Sequence, residues 1–296
     1  LTFELPLKDY TNITINWGDG GATSSHTNGV FPTHTYASAG TYTISVTVND
    51  AGKDIGEMYM NGNHASRLLI RTITNWGEGK WESFYVAFRG ATNLTIPATD
   101  EPDLSLTTSM VLAFKDCSSL VGTTLSDWDT ASVTSMITMF EGASAFNGNI
   151  GSWNTAAVTD MRYMFQFASA FNQDISSWNT ASVTSMAFMF SNTNSFNQDI
   201  SSWNVSNVTN MMRMFSDASV FNGDISSWDV SNVNNMEGTF MGASAFNGTI
   251  GSWNTAAVTN MREMFRSATA FNQDINTSGN SWNVSNVTDM NGLFRS

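Results

Sequence analysis

The chain has 296 residues, with 12 Lys and Arg against 25 Asp and Glu, and a formal net charge of −13. This acidic balance argues against a nucleic-acid partner, because a phosphate backbone requires clustered basic side chains. No apolar run approaches the length of a membrane span, and a single cysteine, Cys117, excludes an internal disulfide framework and a multi-thiolate zinc site. The chain starts without Met and stops inside a repeating pattern, so we expect a trimmed piece of a larger protein.

The first 50 residues predict a small β unit. An alternating strand over 13–16 leads into the turn Gly18-Asp19-Gly20, and a second strand is predicted over 41–48. The combination W-G-D-G and H-T-Y-x-x-A-G-T-Y-T resembles a PKD domain, which is an immunoglobulin-like β-sandwich of extracellular bacterial proteins. Such sandwiches need about 80–100 residues. We therefore expect a partial PKD-like β segment over 1–50, which acts as a cap, and joining strands over 51–75.

A repeat of 25 residues, preceded by two degenerate units at a spacing of 26, occupies the rest of the chain. Its motif is F-N-x-D-I-S-S-W-N-x-S-x-V-T-x-M-x-x-M-F, and the last step is lengthened by four residues at 276–279. We divide this region, 76–296, into degenerate units over 76–120 and regular units over 121–296. The tryptophans mark the period at positions 128, 153, 178, 203, 228 and 253.

Each unit combines two hydrophobic periodicities. Val158, Met161, Met164 and Phe165 recur at the spacing of one helix stripe, and the threonine at 159 suits a helix N-cap. The stretch 171–176 suits a short strand. A helix this short cannot bury its stripe alone, so the units must stack. The predicted fold class is α/β: a leucine-rich-repeat-like solenoid of about nine stacked units, each a short strand plus a short helix, preceded by the small PKD- or immunoglobulin-like β cap.

The repeat motif resembles that of BspA-like leucine-rich-repeat surface proteins. The degenerate units are similar to the A-F-x-x-C-x-x-L-x-x-I frame of that family, as in Ala113-Phe114 followed by Cys117 and Leu120. The resemblance covers roughly residues 70–296. It implies a bacterial protein, secreted or on the cell surface, that functions in adhesion and binding without catalysis.

Most of the repeated residue columns suggest packing. The Met pairs, such as Met161 and Met164, could bind copper through thioethers, but they share a stripe with Phe and Val and no His or Cys joins them. The Trp column is interpreted as core, with a carbohydrate-stacking ledge as the alternative. Cys117 falls on a core position of the repeat, which favours a buried thiol over a nucleophile.

Two polar columns are more open to interpretation. We expect one to form a buried amide ladder, in which each side chain bonds its neighbour's backbone. The other is acidic and suits either local hydrogen bonds to N–H groups or a Ca²⁺ site; apart from this possible Ca²⁺ we expect no cofactor. The amide column is Asn147, Asn172, Asn197, Asn222, Asn247 and Asn272. The acidic column is Asp174, Asp199, Asp224 and Asp274.

Against this fixed frame, some repeat positions vary. We predict that they bind a protein or glycan on another cell or matrix, and the resemblance implies an extracellular location. We do not expect an enzyme, because no catalytic motif is present. Self-association into a surface filament or layer is the alternative. An ice-binding face on the column of Thr134 and its equivalents is less favoured, because those residues suit helix caps. The variable positions are Tyr163, Gln166, Phe167, Phe188, Arg213, Glu237, Arg262, Glu263 and Arg266.

Overall fold

The architecture is taken from a computed structural model. It describes residues 1–27, 29, 31–61, 64–122, 124–275 and 282–295. The four-residue insertion predicted at 276–279 lies outside the described residues.

All the named strands of the described residues lie before residue 84, followed by a long region of stacked turns. A short 3-10 helix, Ala65–Leu68, falls among them, where the sequence had suggested a joining strand. The strands are β1 (Thr2–Glu4), β2 (Leu7–Lys8), β3 (Asn12–Asn16), β4 (Ser24–Thr27), β5 (Thr33–Thr35), β6 (Ser45–Val48), β7 (Asp54–Met58) and β8 (Lys80–Ser83).

Alternation of buried and exposed side chains explains how β3 packs in the N-terminal β unit. In β3, Ile13 and Ile15 point inward and are fully buried, and the strand pairs antiparallel with β4 on one side and β6 on the other. Strands β1 and β5 form a separate antiparallel pair. The ring of Trp17 stacks on His34 at 5.0 Å, and the Tyr36 hydroxyl donates to the Trp17 carbonyl at 2.9 Å. These contacts fix the core of the unit.

The third sheet joins the β unit to the repeats. Strand β7 pairs antiparallel with β2 and parallel with β8. Lys80, at the start of β8, then forms a parallel bridge to Asp103 in the first repeat units. The same parallel direction continues through single-residue bridges between successive units, from Ser109–Ser135 to Asn260–Asp289.

The backbone of the repeats alternates between two hydrogen-bond partners. The N–H groups of residues 161, 163, 165 and 167 donate to carbonyls of the next unit, at residues 185, 187, 189 and 191. The N–H groups between them, at 164, 166 and 168, donate to carbonyls three residues back. Tyr163 and Phe167 adopt the left-handed conformation, both with φ 60°. The result is a series of tight turns stacked on those of the neighbouring units, which we call the repeat stack.

The predicted fold class is therefore wrong. Within the described residues the 3-10 helix at 65–68 is the only helix, so the units are not strand-plus-helix and the fold is not an α/β leucine-rich-repeat-like solenoid. The predicted strand at 171–176 is absent too. An α-helix needs N–H groups that donate four residues back. Here every second N–H of the turn segment donates instead to a carbonyl of the next unit, and left-handed residues interrupt the right-handed winding.

Aromatic columns fill the interior. Phe165 stacks on Phe190 at 5.6 Å, and Trp178 stacks on Trp203 at 6.3 Å with 4° between the rings. Trp178 also donates from Nε1 to the Ile150 carbonyl at 3.0 Å. The Met pairs are fully buried beside these rings, and so is Cys117, where burial raises the pKa of the thiol. The indoles face inward, so they form no exposed ledge.

Candidate functional site

The variable positions share one surface, which we call the variable face. It is formed by residues 162, 163, 166 and 167 and by their equivalents one or more units before or after. Residues equivalent to 163 or 167 are left-handed in most units; examples are Phe188 (φ 60°), Arg213 (φ 53°) and Glu263 (φ 55°). All nine predicted binding residues lie on this face. Whether they bind a partner stays a prediction.

The middle of the variable face is aromatic. Tyr163 and Phe188 stack at 4.8 Å with 15° between their rings, and the Arg213 guanidinium lies 6.0 Å from the Phe188 centroid. Phe167 is 50% exposed. The unit before Phe167 carries Gly142 at the equivalent position, so no side chain stands there to cover the ring from that side. An exposed aromatic ring of this kind can contact a sugar ring or an apolar protein side chain.

The C-terminal part of the variable face is charged. Arg266 Nη1 lies 2.9 Å from Glu263 Oε1, and Arg213 Nη2 lies 3.6 Å from Glu237 Oε1 and 3.9 Å from Glu263 Oε2. Arg262 is exposed. Ion pairs at the surface contribute little stability, about 0–1 kcal/mol each. Their effect here is to hold side chains in a defined order along the face.

The predicted set omitted some members of the face. Glu141 stands one unit before Gln166 at the equivalent position. Its Oε1 lies 2.6 Å from Nζ of Lys115, which stands at the same position one unit earlier still. Arg162 pairs with Asp160 at 2.7 Å, and this contact is the main reason why the pKa of Arg162 is raised. The repeat register could have found these residues: Arg162 stands in a regular unit, and Lys115 aligns with Glu141 at the spacing of 26 that separates the degenerate from the regular units.

The Asn column forms a ladder along the surface. Asn222 accepts from the backbone N–H of Asn247 at 2.8 Å, and Asn172 accepts in the same way from Asn197 at 3.0 Å. The equivalent contacts extend from Asn147 to Asn272. The side chains are exposed or partly exposed, so the expectation of a buried ladder is wrong. A ladder of this kind joins successive units and leaves less of the amide free for a ligand.

The acidic column is engaged in local turns. Asp174, Asp199 and Asp224 each accept from the backbone N–H two residues on, at 2.9 Å. That hydrogen bond lowers the pKa of each carboxyl group. Asp274 is exposed in the same column. Among the residues that the structure describes, no group of three or more His, Cys, Asp or Glu could hold a metal ion. The Ca²⁺ site stays a prediction.

The Thr column does not cap helices. Thr159 and its equivalents are exposed, and their N–H and hydroxyl groups donate to the carbonyl of the equivalent residue in the preceding unit. The hydroxyl of Thr184, for example, donates to Thr159 at 3.1 Å. The column is therefore another ladder between units.

In the N-terminal β unit, Asp19 behaves as a turn residue. Its Oδ1 accepts from the Gly21 N–H at 3.0 Å, and its Oδ2 lies 2.7 Å from His34 Nε2. The hydrogen bond from His34 is the main reason why the pKa of Asp19 is lowered.

Comparison with known proteins identifies two regions of the chain. Residues 1–54 match the PKD domain. Residues 82–201, 108–227 and 213–296 match the family described as "Mycoplasma protein of unknown function, DUF285". These matches together span more than half of the chain, so the chain belongs to the DUF285 family. Among curated proteins and solved structures, none matches the chain.

The chain is thus a PKD domain followed by DUF285 repeats, which is consistent with a surface repeat protein and an extracellular or surface location. Neither match confirms the BspA-like leucine-rich-repeat resemblance. No helix in the described ranges combines the length and the apolar character that a membrane crossing demands.

Proposed function

We propose that the protein is a secreted or cell-surface, non-enzymatic binding protein, and that its variable face contacts a protein or glycan on another cell or matrix. The PKD domain and the DUF285 repeats support the surface character. The adhesive role and its partner are the proposal.

One observation carries it: the stack keeps the backbone constant while the side chains of the variable face change. Position 163 is Tyr, yet Phe188, Arg213, Gly238 and Glu263 stand at the same place in the following units. Their left-handed backbone is retained, with φ between 53° and 60°. A rigid frame with changeable side chains suits recognition, because the frame positions the contacts before a partner arrives.

The polar columns outside the variable face stabilise the stack, whereas the variable face leaves side chains free for contact. Asn, Ser and Thr side chains there bond to the neighbouring unit, as the Asn222 and Thr184 contacts illustrate. They build the stack. The ring of Phe167, by contrast, is half exposed although it is strongly apolar. A large apolar surface of this kind is typical of a contact residue.

The test uses substitutions that the chain already contains. Tyr163→Thr copies Thr138 and Phe167→Ser copies Ser267, which stand at the equivalent positions with φ of 56°. The double variant should therefore fold. We expect it to bind at least about tenfold more weakly than the unmodified chain to the glycans or purified matrix proteins that an array identifies as ligands.

Val220→Ser is the matched control, because Val220 is also an exposed apolar residue (42%) but stands outside the variable face. It should bind as the unmodified chain does. Equal loss in the control and in the double variant, or an array without any ligand, would overturn the proposal. The alternative of a self-associating filament is tested by sedimentation of the same proteins at high concentration.

A further inference from the structure

A basic pocket lies at the N-terminal end of the variable face. It is lined by Arg67 and Leu68, next to the 3-10 helix, and by Arg89, Thr92 and Asp116 of the first units. Arg89 and Gly90 stand three units before Gln166 and Phe167, at the equivalent positions of the repeat. The matching inter-unit hydrogen bonds demonstrate this equivalence. The pocket therefore continues the face into the degenerate units.

The pocket keeps a net positive charge, because two arginines and only one carboxylate, Asp116, line it. Within the described part of the chain, neither Arg67 nor Arg89 forms an ion pair, although the protein has twice as many acidic as basic residues. Lys115, which follows Arg89 in its column, is by contrast paired with Glu141 at 2.6 Å. Arg67 donates from Nη1 to the His64 carbonyl at 3.2 Å, so part of its guanidinium is held in place.

Gly90 makes room for one of these arginines. Its φ is +76°, and a Cβ added there would meet Arg67 Cδ at 3.0 Å. The absence of a side chain lets the aliphatic stem of Arg67 lie on the turn, in the pocket that Arg89 also lines. Two guanidinium groups that line one concave site attract an anion more strongly than either would alone.

We propose that this pocket binds the carboxylate group of an acidic ligand, either a free acid or the acid unit of a glycan. Guanidinium groups present paired N–H donors that match a carboxylate, and Thr92, which also lines the pocket, carries a hydroxyl that can donate. Asp116 also lines the pocket, and its negative charge favours a singly charged carboxylate over a doubly charged phosphate. The site is independent of the aromatic part of the variable face.

The experiment titrates the full chain at low ionic strength with glucuronate, a glucuronate-containing oligosaccharide and inorganic phosphate, by calorimetry. We expect glucuronate to bind, and Arg89→Gln or Arg67→Gln to weaken it by at least about tenfold. Arg71→Gln is the control for charge, since Arg71 is exposed and lies outside the pocket. It should change the affinity by less than about twofold. Thermal melting checks that each variant is folded.

Comparison of the three ligands distinguishes the possible sources of the carboxylate. Tighter binding of the oligosaccharide than of free glucuronate identifies a glycan as the source, and equal binding identifies a free acid; both support the site. No binding of either acid, phosphate binding tighter than glucuronate, or an Arg71→Gln loss as large as that of Arg89→Gln would overturn it. The Tyr163→Thr/Phe167→Ser variant should retain glucuronate binding, so failure of the proposed adhesive face is distinguishable from failure of this site.

Discussion

Phe165 and Phe190 stand one unit apart, and their rings stack at 5.6 Å with only 9° between them. Phe190 continues the column to Phe215 at 5.7 Å and also stacks on Phe196 at 4.1 Å within its own unit. The interior is therefore a set of aromatic columns, and each ring is shared between units. Stability of the stack depends on contacts between units.

Truncation of one ring should be costly. Phe190 is fully buried, so Phe190→Ala leaves a cavity in the column and should lower the free energy of unfolding by about 3–5 kcal/mol. Phe167→Ser at the exposed position should change it by less than about 1 kcal/mol. Urea unfolding of both variants checks this, and similar losses in the two would contradict the aromatic-column interpretation.

The Asn ladder should contribute measurably even though it is exposed. Asn222→Ala removes the acceptor of the Asn247 N–H, and we expect a loss of about 0.5–1.5 kcal/mol. Asn222→Asp keeps an oxygen at the same place and serves as the control. Because the N–H can still be bonded there, it should retain most of the stability. If the two variants lose equal stability, the hydrogen bond is not the cause.

The acidic column should make the stability dependent on pH. The backbone N–H of Ser176 lowers the pKa of Asp174 below its ordinary value, and the same contact acts on its equivalents. A lowered pKa in the folded state means that the contribution is present above the unfolded pKa and is lost as pH falls through the folded pKa. We therefore expect the melting temperature of the unmodified chain to fall below about pH 4.

The matched variant replaces Asp174, Asp199 and Asp224 by Asn, which also occupies this column at Asn149 and accepts from the Gly151 N–H there at 3.1 Å. The triple variant keeps the turns and removes the titration. Its melting temperature should fall less than that of the unmodified chain between about pH 5 and pH 2. Identical pH profiles would exclude these carboxylates as the cause.

Two glycines with a similar backbone should respond differently to alanine. Gly122 has φ +78°, and an added Cβ would collide with the buried ring of Phe146; Gly20 has φ +81° and nothing within 4 Å. We expect Gly122→Ala to cost about 3 kcal/mol or more, and Gly20→Ala about 1 kcal/mol from the backbone alone. Thermal and urea unfolding measure both, and equal costs would refute the packing argument.

The sequence by itself determined the period, the core columns and the surface on which variation occurs. A side chain that returns every 25 residues must face the same way in every stacked unit, so the buried Phe165 and Trp178 and the exposed Phe167 follow from spacing. Arg67 lies in an irregular segment before the repeats, so no repeat spacing relates it to Arg89. Only the folded chain brings them into one pocket.

The backbone of each unit was decided by the tertiary structure. The positions of Val158, Met161, Met164 and Phe165 suit one face of a helix, but stacked turns place the same residues inside equally well. The deciding contacts are the N–H groups that donate to the next unit, and these depend on residues 24 positions away. They hold Tyr163 and Phe167 in a left-handed conformation that local preference disfavours for such side chains, so short-range pattern alone predicted a helix where turns form.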